Sequence, residues 1–258
     1  MIPSRRRRFN DAWTAEGYGQ VLGAIVEAAG TAPEFPVSET PVFFTRRFVD
    51  ELAETGAALI RQLDSPNLMA AASHAVPARF SGPNEDPVPQ FVQVDFGLVR
   101  GADGTLEPRL VELQAFPSLY GLHRMLGEAY RDAFALPASL GVYLGGLDQA
   151  SYDALIGSAI LGGHDPLEVV LMEIEPRRQK TWPDFAITER VWGVRAIDTS
   201  AVRRVGRELF YDRDGRLVRI RRIYNRVIPD ELDRRGVELP FDYRDDLGKR
   251  LFAVVATR

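Results

Sequence analysis

From residue 14 to 29 apolar side chains return every three or four positions. Tyr18, Val21, Leu22, Ile25 and Val26 make one stripe, which predicts a helix stopped by Gly30. Pro33, Pro36 and Pro41 then predict an extended connection. Phe48, Leu52, Ala58, Leu59 and Leu63 predict a second amphipathic helix ending near Asp64-Ser65. Residues 77–89, rich in Pro, Gly and Asn, read as a loop. At 90–100 and again at 109–116 the period becomes twofold. Gly101-Ala102-Asp103-Gly104 between them carries the Asp-Gly pair that marks a hairpin. A helical stripe returns over 122–134, and the small, Gly-rich stretch 136–146 reads as a boundary.

Beyond it, strands and helices alternate. A helix over 152–161 precedes 168–174 (Glu-Val-Val-Leu-Met-Glu-Ile), an apolar run suited to a strand covered on both faces. A loop over 175–181, a helix through Phe185, Ile187 and Val191, and a short strand at 194–197 complete the strand–helix–strand unit of a parallel sheet. Strands at 208–211 and 217–220 flank Asp212-Arg213-Asp214-Gly215, a second hairpin. Ile223-Tyr224-Asn225 returns to the sheet, and a helix begins at Pro229. The fold class is therefore α/β: an α+β N-terminal part with an antiparallel hairpin, then a small open α/β domain.

The first hairpin carries the sharpest chemistry. Alternation gives one face to Val92, Val94, Phe96 and Leu98 and the other to Gln93 and Asp95. On the second strand Val111, Leu113 and Ala115 share a face, leaving Glu112 and Gln114 opposite. With Asp103-Gly104 as a two-residue turn, Asp95 lies directly across from Glu112. Like charges in that position are destabilising by up to about 1 kcal/mol, which a bound cation would offset. Mg²⁺ suits one or two carboxylates completed by substrate phosphates, and Gln114 adds a neutral oxygen. The same pattern fits a solvent-facing hairpin whose acids are merely hydrated. Pro108 marks irregularity, and a slip of one residue sends Glu112 to the other face.

Val94-Asp95-Phe96-Gly97-Leu98-Val99, the turn, and the run from Leu110-Val111-Glu112-Leu113-Gln114 through Ala115-Phe116-Pro117-Ser118-Leu119-Tyr120-Gly121 resemble the metal-binding hairpin of the ATP-grasp superfamily. The likeness is to its circularly permuted branch, which includes glutathionylspermidine synthase. Further on, Phe185-Ala186-Ile187-Thr188-Glu189, the stretch 207–215 and Ile223-Tyr224-Asn225-Arg226-Val227 are similar in order and spacing to the Rossmann-like lobe of the same proteins. The resemblance implies three parts: a partial ATP-grasp-like region over 1–145, a Rossmann-like pre-ATP-grasp lobe over 146–240, and a C-terminal tail over 241–258. It implies Mg²⁺ held for ATP by Asp95, Glu112 and Gln114, and makes Ser118 and Tyr120 candidate acceptor-substrate contacts. The implied activity is ATP-dependent joining of a small-molecule carboxylate to an amine through an acyl phosphate. Gln114 stands where that family has Asn, and Gln93 where some relatives have Arg. The lysine-bearing subdomain that clamps the nucleotide has no counterpart before Arg258, so a truncated, shortened or degenerate form is expected. The pattern names no catalytic residue.

Composition narrows the remaining classes. Hydrophobic residues at 45% suffice for a core, and the net charge of −4 argues against a polyanion binder as a whole. Residues 177–226 nevertheless hold 14 Lys/Arg against 6 Asp/Glu, a segment open both to phosphates and to simple solvation. With no cysteine, disulfides and thiolate metal sites are excluded. Ser4-Arg5-Arg6-Arg7-Arg8-Phe9 is followed by Asp11, Glu16 and Glu27 rather than the apolar stretch of an export signal. No run approaches the roughly 20 apolar residues that span a bilayer, so the expected compartment is the cytoplasm. Arg177, Arg178, Gln179, Lys180 and Thr181 follow a buried strand and precede a helix, where α/β sheets bind ligands. They are candidate substrate contacts, with Asn225 and Arg226 at the end of a neighbouring strand; helix capping and surface charge explain the same residues. His74, His123 and His164 are too scattered for a zinc site or triad, Walker and Gly-x-Ser-x-Gly motifs are absent, and Trp182 and Trp192 read as packing. Two other functional classes stay open: a non-catalytic module binding a ligand at the 177–181 loop, and a nucleic-acid binder using the basic segment.

Overall fold

A computed structural model describes residues 1–63, 65–73, 89–114, 116, 118–242 and 251–252. Helices α1 (Pro3–Ala12) and α2 (Ala15–Ala29) open the chain. α2 matches its predicted stripe. Thr14 accepts the Gly17 N–H at its start, and Gly30 closes it in the left-handed conformation at φ 72°. α1 lies outside the sequence prediction, because four arginines precede Phe9, its one buried residue, and leave no apolar stripe. α3 (Arg46–Leu63), α4 (Pro66–Ser73), strands β1 (Gln93–Arg100) and β2 (Leu106–Gln114), α5 (Tyr120–Ala133) and α6 (Gln149–Leu161) follow. Then come β3 (Val169–Glu173), α7 (Trp182–Trp192), β4 (Arg195–Asp198), β5 (Arg203–Val205), β6 (Glu208–Arg213), β7 (Arg216–Ile220), β8 (Arg222–Asn225), α8 (Pro229–Arg235) and β9 (Leu251–Phe252).

The parallel sheet runs in the order β4-β3-β8-β9, with β3 at the centre and wholly buried. Val169 and Leu171 face α6 and α7, meeting Ile156, Ile160, Phe185 and Trp192. Val170 and Met172 face the other way, onto Leu209, Tyr211 and Ile220 of the antiparallel sheet β5-β6-β7. Each such apolar side chain contributes about 1.5–3 kcal/mol on leaving water, so β3 anchors a three-layer α/β arrangement, the class its sequence predicts. Ile25 of α2, Leu122 of α5 and Ile187 of α7 share one core. Helices from both sides of the 136–146 stretch thus pack together.

Of the segment expected as a tail, residues 241, 242, 251 and 252 are described. Phe241 is buried, and Leu251 and Phe252 pair in parallel with Ile223 and Tyr224. Most of the predicted 77–89 loop, His74, and residues 243–250 and 253–258 lie outside the described residues. Among those described, no helix is long and apolar enough to cross a membrane.

The two Asp-Gly sequences turn differently. Between β6 and β7 the predicted hairpin forms with longer strands: Arg213 pairs with Arg216, and Asp214 (φ 56°) and Gly215 (φ 83°) make a two-residue turn. Between β1 and β2, the Gly101 N–H donates to the Thr105 carbonyl (2.8 Å) and the Gly104 N–H to the Gly101 carbonyl (2.9 Å). Here the loop is residues 102–104, with Gly104 alone at positive φ, so the expected two-residue turn is corrected to three.

Candidate functional site: a hairpin acid pair and the edge of the parallel sheet

The longer loop sets β1 and β2 one residue away from the predicted register: Arg100 pairs with Leu106 and Phe96 with Leu110. A bulge between Asp95 and Phe96 then restores it, and Asp95 pairs directly with Glu112, Gln93 with Gln114. The expected carboxylate pair forms by two offsets that cancel. The bulge also re-aims Val111. A Cβ on Gly97, which points to the side of Asp95, would lie 3.4 Å from Val111 Cγ2. Val111 therefore stands on the acid side, 67% exposed, rather than with Leu113 as alternation predicts. On the opposite face Val94 packs against α3 at Gly56, where an added Cβ would sit 3.4 Å from Val94 Cγ2. β2 also begins earlier than predicted and keeps Pro108 in register with Leu98.

Carboxamides bind this acid pair. Gln93 Nε2 donates to Asp95 Oδ1 at 2.9 Å, and Gln114 Nε2 to Asp95 Oδ2 at 3.0 Å. The same Gln114 nitrogen donates to Glu112 Oε1. A single electropositive atom is thus within reach of both carboxylates. The donor set is hard oxygen and fits Mg²⁺, with the Gln114 amide turned to present its oxygen. Among the described residues no three His, Cys, Asp or Glu come together as a metal site. An ion at the hairpin would have to draw its remaining ligands from water and phosphate, the usual state of nucleotide-bound Mg²⁺.

Two residues beyond Gln114 the chain meets the parallel sheet. From β3 the chain leads to β4 on one side; from β8 it leads to β9 on the other. The C-terminal ends of β3 and β8 therefore form the switch point where open α/β sheets take ligands. Arg226, just past β8, donates from Nη1 to the Phe116 carbonyl (3.1 Å) and lies 4.0 Å from the centre of its ring. Asp184, in the first turn of α7 and 2% exposed, accepts the N–H groups of Leu119 (3.1 Å) and Leu122 (3.0 Å). It thereby caps α5 from a distance. Burial raises its pKa, and the bond from Leu122 and the charge of Arg226 pull it back.

Backbone strain gathers at the same edge. Leu119 (φ 69°) and Glu175 (φ 46°) are non-glycine residues in the left-handed region, at about 1–2 kcal/mol each. Each is held by a carboxylate on its N–H: Asp184 for Leu119, and Asp198 (2.6 Å) for Glu175. Such strain persists where surrounding bonds over-determine the backbone.

The loop candidates are tied to this edge by structural bonds. Arg177 covers Trp182 at 4.7 Å, Arg178 pairs with Glu175 at 2.7 Å, and Gln179 donates to the Ile174 carbonyl at 2.8 Å. Thr181 begins α7 without a side-chain cap. Asn225 turns inward and bonds the Val227 N–H (3.1 Å) and carbonyl (3.4 Å). Tyr120 packs its ring on Phe91 (4.7 Å), its carbonyl accepting from Tyr152 (3.1 Å), and Ser118 is half-buried in the segment pinned by Arg226 and Asp184. Trp192 packs against α6 as predicted, its Nε1 donating to the Asp153 carbonyl at 2.9 Å.

Much of the basic excess is met locally. Arg195 pairs with Glu189 (2.9 Å) and Asp214 (3.1 Å), Arg221 with Glu168 (2.9 Å), and Arg219 with Glu208. Arg222 is buried and donates to the Ile160 and Ala159 carbonyls that end α6.

Sequence reasoning passed over Glu173, Glu175 and Asp184. For Glu173 a signal exists, a carboxylate closing an otherwise apolar buried strand; for Asp184 there is none, since acids are ordinary in a first helical turn. No family model matches the chain, no curated protein matches it, and no solved structure matches its fold.

Proposed function

We propose that this chain is an ATP-grasp-type ligase unit that uses Mg-ATP to join a carboxylate to an amine. The observation that carries the reading is the Gln114 nitrogen bonded to both Asp95 and Glu112 across one antiparallel pair. In this reading Asp95, Glu112 and Gln114 hold Mg²⁺, and Gln93 fixes the orientation of Asp95. Mg-ATP bound there supplies the phosphoryl group that activates a carboxylate toward an amine. The protein's own part is positioning: α3 backs the hairpin through Gly56, and Arg226 and Asp184 hold the 116–122 segment, with Ser118, between hairpin and sheet edge.

Calorimetric titration of Mg-ATP into the wild type, Asp95→Asn and Glu112→Gln tests it. Wild-type binding should require Mg²⁺, and each variant should bind at least about tenfold more weakly. Equal binding by all three proteins, or binding indifferent to Mg²⁺, would sink the reading.

A further inference from the structure

β3 is apolar until its last residue. Glu173 follows Val169-Val170-Leu171-Met172 and is 6% exposed. The β3–β8 register, with Met172 opposite Asn225, brings it beside Arg226. Its Oε1 accepts the N–H of Ile174 at 2.8 Å. Among the described residues Oε2 has no hydrogen-bond donor and the carboxylate has no ion pair.

The neighbouring cations are committed elsewhere. Arg235 pairs with Glu175 (2.8 Å) and Glu231 (3.0 Å), and Arg178 with Glu175 (2.7 Å). Arg226 serves the Phe116 carbonyl and ring. Oε2 is not among the enclosed side-chain atoms that lack a partner, so it opens toward solvent, where a proton or cation can reach it. The charged groups facing it are Arg226 from the end of β8 and Glu231 and Arg235 from α8, whose effects oppose one another. Burial prevails and pushes its pKa up to about 7.

We propose that Glu173 anchors the ammonium group of a primary amine bound at the C-terminal ends of β3 and β8. A divalent ion fits poorly, because no three acids or imidazoles of the described residues gather there. One unmatched oxygen carrying one charge suits a monovalent head with hydrogens to donate. The position is the sheet's switch point, and the 116–122 segment links it to the hairpin. The inference deepens the ligase reading by siting its amine, and it rests on that reading for the reaction.

The test is calorimetric titration of propylamine and of putrescine, without nucleotide, into wild type and Glu173→Gln at pH 6 and pH 8. Both probes stay protonated over that interval while Glu173 loses its proton. Wild-type affinity should therefore rise roughly tenfold from pH 6 to pH 8. Glu173→Gln should lose that rise and bind at least about tenfold more weakly at pH 8. Neither probe binding at pH 8, or equal binding by the variant, overturns the inference. Should Glu173→Gln fail to fold, the wild-type profile decides alone, and a flat profile overturns it. Mg-ATP titration of the same samples separates the two proposals. Amine binding that needs Glu173 without any Mg-ATP binding retires the ligase reading and leaves the amine site. Mg-ATP binding that needs Asp95 and Glu112, without amine binding, does the reverse.

Discussion

Two pairs of acids in this protein have the same chemistry and opposite surroundings. Asp95 and Glu112 lie on the open side of a hairpin, Glu112 exposed and Asp95 half-buried, and their hydrogen-bond partners are carboxamide side chains. Glu173 and Asp184 are 6% and 2% exposed, and their partners are backbone N–H groups. Solvent access separates the roles. On the hairpin, water hydrates each charge, so a carboxylate can be replaced without disturbing the backbone. At the sheet edge, the carboxylates complete the hydrogen bonding of buried chain, and their protonation is coupled to folding.

Substitutions at four residues test that division. The largest effect belongs to Asp184→Ala, which leaves two buried N–H groups without acceptors and should cost about 3–5 kcal/mol in urea denaturation. Asp184→Asn, retaining one acceptor oxygen, should lose less. A loss under about 1 kcal/mol for the alanine variant would erase the contrast between the pairs.

Next comes Glu173→Gln, with the opposite sign. The folded pKa of Glu173, about 7, lies above its ordinary 4.5, so the fold favours the protonated form. The stability this confers is full below the ordinary value and is lost as pH rises through 7. Gln, which is always neutral, should therefore stabilise the protein by about 2–3 kcal/mol at pH 8 and have little effect below pH 5. Thermal unfolding at the two pH values measures it, and a pH-independent difference would contradict the assignment.

Glu112→Gln should be smaller still. Removing one of two facing like charges should raise stability by up to about 1 kcal/mol while weakening Mg-ATP binding at least about tenfold. Stability and binding changing in opposite directions would mark a site arranged for a ligand. Val111→Ala completes the series. Exposed on the bulge, Val111 should matter by less than about 0.5 kcal/mol, as unfolding midpoints would register.

The elements most legible in the sequence are those whose signals are local. Thr14 and Gly30 bound α2, and the apolar run before Glu173 marks a strand covered on both faces. Asp214-Gly215 dictates its own turn because both residues accept positive φ. Asp103-Gly104 contains the same dipeptide, but Gly101 and Thr105 close outside a longer loop, and no pair of residues announces that. The predicted pairing of Asp95 with Glu112 was reached through a turn the chain does not make, and a bulge at Val111 supplies the correction. Asn225 illustrates another limit. Its place at a strand end is legible, but its preference for its own backbone at Val227 competes with any outward role. For Glu173 and Asp184 the sequence displays a carboxylate and omits the quantity that matters, the exclusion of water by residues far along the chain.

The Arg226 contact with Phe116 has a mechanical consequence. Phe116 stands two positions after Gln114, a span too short to absorb much slack, so tilting the hairpin must either carry Arg226 with it or pull the guanidinium off the ring. Were the hairpin and the sheet edge each to hold a ligand, as proposed, occupancy at one would bear on the other, and reciprocity would make each alter the grip on its counterpart by the same factor.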